Sequence, residues 1–137
     1  MNKKKLLVSF ACILLFGMVL LVLKPWGTKP FKALSPKEIT STEIFLIPPE
    51  QTIYLTDSEQ IATLCEVLQG LVIYQEDDSG REYDGQLVQA TIALQDGTTR
   101  IIGAYGTFLF LDGTCYLTKY EPSQRMNAFG NGLRYND

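Results

Sequence analysis

The 137-residue chain contains no histidine, one tryptophan and three cysteines, Cys12, Cys65 and Cys115. Without histidine the commonest general base, proton shuttle and zinc ligand are missing together. The cysteines lack metal-ligand spacing, since Cys12 lies in an apolar run and Cys65 and Cys115 are fifty residues apart. No phosphate-cradling glycine loop exists. Gly130-Asn131-Gly132 is an isolated turn signal, without the preceding strand and following helix that a nucleotide site needs. There is no internal repeat, and no residue pattern calls for a cofactor or a metal.

Charge is unevenly divided. Residues 1–23 carry three lysines and no acid, and residues 24–37 carry four lysines and no acid. Residues 38–137 set five bases against fifteen acids, a balance of −10, which brings the chain to −3. An acidic C-terminal part has no electrostatic footprint for nucleic acid. Solubility is the ordinary use of such a surface.

Residues 6–23, LLVSFACILLFGMVLLVL, contain no charge. As a helix these positions extend about 27 Å, close to the hydrocarbon thickness of a bilayer. A secretory signal core is shorter, about 7 to 15 residues, and ends at a small-x-small site; this run ends in LKPWGTKPFKALSP. Lipidation at Cys12 would need the apolar stretch before the cysteine, but most of it follows, and Ser9 stands where an aliphatic residue is usual. The segment therefore reads as an uncleaved transmembrane signal anchor with Cys12 inside the helix. Lys3, Lys4 and Lys5 oppose Lys24, Lys29, Lys32 and Lys37, so the positive-inside rule nearly cancels. The short N-terminal tail favours an inside N-terminus, which places residues 38–137 outside the cytoplasm. Trp26 is expected at the outer interface, and Pro25, Pro30 and Pro36 make residues 24–37 a stiff basic spacer.

Residues 38–137 predict an α+β domain. Its expected form is an antiparallel meander of about five to six strands packed against one main helix. EIFLI (43–47) and TIYLT (52–56) read as strands around Pro48 and Pro49. Thr56, Asp57, Ser58 and Glu59 form a capping box with Thr56 as the cap, and Ile61, Leu64, Cys65 and Leu68 follow at helical spacing to Gly70. LVIYQ (71–75) is a further strand. Later runs are joined at Asp96-Gly97 and Asp112-Gly113, two-residue hairpin signals that want positive φ at both positions. Pro122 opens a short C-terminal helix, closed by Gly130.

TFLFL (107–111) is apolar on both faces, so the second face of the sheet needs a cover. Either Met126, Phe129, Leu133 and Tyr135 fold back over it, or a patch around Leu109, Leu111 and Leu117 stays open for a partner. EDDSGREYDG (76–85) carries Glu76, Asp77, Asp78, Glu82 and Asp84 against Arg81 alone. Carboxylates so placed could serve acid and base roles in a hydrolase or hold Ca2+, although the spacing is not that of an EF-hand; a flexible acidic hairpin tip is the ordinary reading. Cys65 and Cys115 form a disulfide if the helix packs over the strand bearing Cys115, and are otherwise buried free thiols.

The order TIYLTDSEQIATLCEVLQG followed by ATIALQDGTTRIIGAYGTFLFLDGTCYL resembles the small, uncharacterised extracytoplasmic domains that Gram-positive bacteria carry behind one membrane anchor or lipoprotein signal. The similarity covers about residues 43–120. It implies architecture and compartment, and no catalytic residue. The function expected is a non-enzymatic, membrane-tethered module that binds a protein or cell-envelope component through its sheet face or acidic loop. The alternatives are a small hydrolase using carboxylates of residues 76–84, or a structural accessory subunit with the transmembrane helix as interface. For the latter Gly17 stands alone, with no small-x-x-x-small partner glycine.

Overall fold

The structure, a computed structural model, describes residues 2–23 and 25–135; Lys24 of the expected spacer lies outside the described residues. Helix α1 (Lys3–Leu23) is long and apolar enough to cross a membrane, and none of its residues is buried against the rest of the chain. The remaining elements are β1 (Ile39–Ile47), β2 (Gln51–Leu55), α2 (Ser58–Gly70), β3 (Ile73–Glu76), β4 (Leu87–Leu94), β5 (Thr99–Tyr105), β6 (Phe108–Leu111), β7 (Thr114–Thr118) and α3 (Tyr120–Arg134). They form the α+β class that the pattern predicts, with seven strands where five to six are expected. The sheet is antiparallel throughout in the order β2-β1-β4-β5-β6-β7-β3. The last four positions before β3 are a meander, as expected.

Strand register explains which residues are inside. Ile44 pairs with Ala90, Ala90 with Ile102, and Ile102 with Leu111. Opposed residues share a face, so these four, with Leu46, Val88, Ala104 and Leu109, make one buried apolar surface. Leu64, Cys65 and Leu68 of α2 and Met126 and Leu133 of α3 bury against it. Each fully buried aliphatic side chain contributes about 1.5–3 kcal/mol of transfer free energy. Gly130 lets α3 approach closely, because a Cβ there would lie 2.5 Å from Val88 Cγ1 and 2.9 Å from Leu46 Cδ2.

Both helices therefore cover the same face. The expectation that Met126, Phe129, Leu133 and Tyr135 cap the second face is corrected: Met126 and Leu133 enter the core beside α2, Phe129 packs against it, and Tyr135 is exposed. Leu109 and Leu111 are likewise buried beneath the helices, so they form no open patch, and Leu117 is half-buried on the other face beside Phe108. A half-polar C-terminal helix can join either face. The buried apolar set of the first face is the larger, and α3 goes where it removes more apolar area from water.

Two local expectations also change. The cap of α2 is Asp57, whose Oδ1 accepts from the amides of Glu59 at 2.8 Å and Gln60 at 3.0 Å, in place of Thr56. Asp112-Gly113 has positive φ at both positions, as a two-residue turn demands, whereas between β4 and β5 only Gly97 does. There Leu94 and Thr98 close a three-residue loop by the Leu94 amide bonding to the Thr98 carbonyl at 2.8 Å.

The stretch after α1 is no free spacer. The amide and carbonyl of Thr28 both bond to Ile73 at 2.8 Å, on the outer edge of β3. Phe31 and Leu34 are buried in the core, and the Leu34 carbonyl accepts from Gln69 Nε2 at 2.6 Å. Arg100 lies over the Phe31 ring, 5.0 Å from its centroid, and pairs with Asp112 at 2.7 Å. Two buried apolar side chains, the Thr28 backbone pairing and the Leu34 carbonyl together hold the segment on the domain.

Candidate functional site

β3 and β4 adjoin in sequence but lie apart in the sheet, β3 at an edge and β4 between β1 and β5. The connection between them must cross the sheet, and it crosses the face that the helices leave bare. This corrects the expected acidic hairpin tip. A 3-10 turn, Asp78–Glu82, lies at its start with Gly80 buried. A Cβ at Gly80 would lie 2.6 Å from both Cys115 Sγ and Phe108 Cγ, so only glycine allows this approach. Tyr83 follows, meeting Tyr105 edge to face with ring centroids 4.7 Å apart. The Tyr105 hydroxyl donates to the Tyr83 carbonyl and accepts from the Gly85 amide.

The doubly apolar strand is thereby explained. In β6, Leu109 and Leu111 point into the helical core, while Phe108 and Phe110 point to the crossing segment. Cys115 pairs with Phe110 and so stands on the crossing side, buried beneath Gly80. Cys65 stands on the helical side, where its thiol donates to the Leu34 carbonyl. The sheet separates the two, and of the alternatives, a disulfide or two buried free thiols, the structure has the free thiols. Burial pushes both thiols up from their ordinary pKa, for Cys65 with added repulsion from Glu38 and Glu66.

Beyond the crossing segment the face stays open, leaving a groove of about 700 Å3. Its floor is Leu87, Gln89, Ile101, Tyr105 and Phe110, its wall is Gly80, Arg81, Asp84 and Gly85, and Ile47 with Pro48 closes one end. The volume is of the size that takes a small ligand or a few side chains of a peptide. The lining is mainly apolar, with one base and one acid at the rim. Arg81 is held there: its Nη2 donates to the Gly113 carbonyl at 2.7 Å, its Nε to Asp78 at 3.2 Å, and its guanidinium lies 5.7 Å from the Phe110 centroid.

Of the five acids expected in a contact loop, Asp84 alone lines the groove. Asp77 caps the 3-10 turn, and hydrogen bonds from the Ser79 hydroxyl and amide hold its carboxyl below the usual range. Asp78 pairs with Arg81, while Glu76 and Glu82 are exposed. Among the described residues no three of Asp, Glu, Cys and His gather in a cluster able to hold a metal ion.

The floor residues escaped the sequence reading, though a signal existed. Leu87-Val88 and Ile101-Ile102 are adjacent apolar pairs, and in a strand neighbouring side chains face opposite ways. One member of each pair had to face away from the helices. No family model, curated protein or solved structure matches this chain.

Proposed function

We propose that the chain is a non-enzymatic, membrane-tethered binding module, anchored by α1, whose domain outside the cytoplasm receives a protein or cell-envelope component in the groove of its open sheet face. The observation that supports this reading most is the half-covered face itself. The crossing segment roofs Phe108 and Cys115, and stops short of Ile101, Leu87 and Ile47. Ile101 and Ile47 are exposed. Apolar floor residues left in water gain by being covered.

The chemistry favours an extended, largely apolar ligand with one polar group able to meet Arg81. Paired-carboxylate hydrolysis calls for two acids facing one cleft, and the groove brings one, Asp84. The non-enzymatic reading is preferred on that ground.

The test uses the full chain in lipid nanodiscs, isotope-labelled and titrated with extended peptides and with envelope glycan fragments. Saturable shifts at Leu87, Gln89, Ile101, Tyr105 and Phe110, lost in Ile101→Arg, are the expected result. Shifts that map elsewhere, or that survive Ile101→Arg unchanged, would overturn the groove as the site.

A further inference from the structure

We propose that the β3 edge of the domain rests on the lipid headgroups, so that the folded domain lies against the membrane surface instead of standing away from it. This rests on α1 being the membrane anchor.

The first support is covalent. Leu23 ends α1, and Thr28 is already hydrogen-bonded to Ile73 on the outer edge of β3. The few residues between them reach no further than about 18 Å when fully extended. Whatever path they take, the β3 edge stays within that distance of the end of the membrane helix.

The second support is the chemistry of that edge. Trp26, the sole tryptophan of the chain, is 60% exposed, and Tyr74 and Tyr120 are 41% and 56% exposed. The backbone segments that carry them adjoin. A Cβ on Gly27 would lie 2.9 Å from the Tyr74 ring, and the Lys119 amide, one residue before Tyr120, bonds to the Val72 carbonyl at 3.0 Å. Amphipathic rings with an apolar body and a polar tip collect at membrane–water interfaces. Lys29 and Lys119 accompany them, both exposed; the exposed acids nearby are Glu121, next to Tyr120, and Glu76 at the end of β3.

Third, the residues leading from α1 to this edge are basic. Residues 24–37 hold four lysines and no acid, and Lys29 directly follows the Thr28 pairing with Ile73, whereas the acids of the strand, Glu76 with Asp77 and Asp78 after it, gather at its far end. Lysines next to a bilayer are attracted to anionic headgroups, and the acids are repelled. The opposite edge of the sheet, β2, lies six strand spacings away, about 29 Å. With β3 on the membrane, β2 points outward and the groove opens sideways, parallel to the membrane surface.

The experiment uses the full chain in nanodiscs, with Cys12→Ser as background because Cys65 and Cys115 are buried. A nitroxide is attached at Tyr120→Cys, at Lys119→Cys as a second reading of the same edge, and at Tyr54→Cys on β2, where the native side chain is 70% exposed. Collision with lipid-soluble oxygen and with an aqueous nickel chelate is measured for each, and Trp26 fluorescence is quenched with brominated lipid. Quenched Trp26, with labels at 119 and 120 losing most of their access to nickel while the label at 54 keeps it, is the expected result. Quenched Trp26 with equal nickel access at all three labels overturns the resting pose and leaves the anchor standing. A chain that fails to float with lipid vesicles overturns the anchor and the pose together, whereas unquenched Trp26 in a chain that floats overturns the pose alone. Protection in anionic discs alone assigns the contact to the lysines, and protection in zwitterionic discs as well assigns it to the rings; both support the pose.

Discussion

Tyr105 holds the crossing segment to the sheet through Tyr83: its hydroxyl donates to the Tyr83 carbonyl while the two rings meet edge to face. One side chain on β5 thus serves both as groove floor and as the peg that fixes the groove wall. The start of the segment is tied separately, by the Asp77 amide to the Cys115 carbonyl and by Arg81 to the Gly113 carbonyl, so it is the stretch from Tyr83 to Gly85 that depends on Tyr105.

Removing that hydroxyl tests the peg. Tyr105→Phe keeps the ring and loses two hydrogen bonds, one to the Tyr83 carbonyl and one from the Gly85 amide. The expected cost is about 1–2 kcal/mol in denaturant unfolding. Amide exchange should quicken at Gly85 and remain unchanged in β1 and β4.

Gly80→Ala should lift the same segment by steric force. The added methyl would meet Cys115 Sγ and Phe108 at 2.6 Å, and overpacking of this kind costs about 1–3 kcal/mol. Cys115, buried in the wild-type chain, should react before global unfolding in the variant, whereas Cys65 should not. Mass spectrometry after timed alkylation reads both.

The cap of α2 gives a prediction by contrast. Asp57→Ala strands the amides of Glu59 and Gln60 and should cost about 1 kcal/mol, within the usual range for caps. Thr56→Ala should cost almost nothing. Equal losses in thermal melts would restore Thr56 as the cap.

Thr42 lies buried in β1 on the helical face, and its Oγ1 has no hydrogen-bond partner. Replacing a buried, unpaired hydroxyl by a methyl of the same shape removes a desolvation penalty. Thr42→Val should therefore raise stability by about 1 kcal/mol, seen as a higher denaturant midpoint at constant slope.

Acid should weaken two turns. Hydrogen bonds from Ser79 to Asp77 and from Thr98 to Asp96 hold both carboxyls below their ordinary pKa. Because the folded value lies under the unfolded one, their contribution is present above the ordinary carboxylate range and is lost as pH falls through the folded value. The double variant Asp77→Asn, Asp96→Asn should be less stable at neutral pH and depend less on pH in the acid limb. A parallel acid limb in urea midpoints measured across pH would contradict this.

Much was legible in the residues alone. The uncharged run from Leu6 to Leu23, the strand periodicities, the amphipathic α2 and the Asp112-Gly113 turn are local statements, since backbone propensity and side-chain alternation act within a few positions. The cap at Asp57 rather than Thr56 was a near miss of the same kind, decided by which neighbouring oxygen reaches two amides.

What tertiary structure alone decided is sidedness and order. That β3 leaves its sequence neighbour to pair with β7, that Cys65 and Cys115 end on opposite faces, and that α3 joins α2 are outcomes of competition among surfaces distant in sequence. The groove is a product of those choices, because its floor and wall come from β1, β4, β5, β6 and the crossing segment. Periodicity tells each strand which residues share a face; only the packing of the whole chain, through the apolar area removed from water, tells it which face is covered.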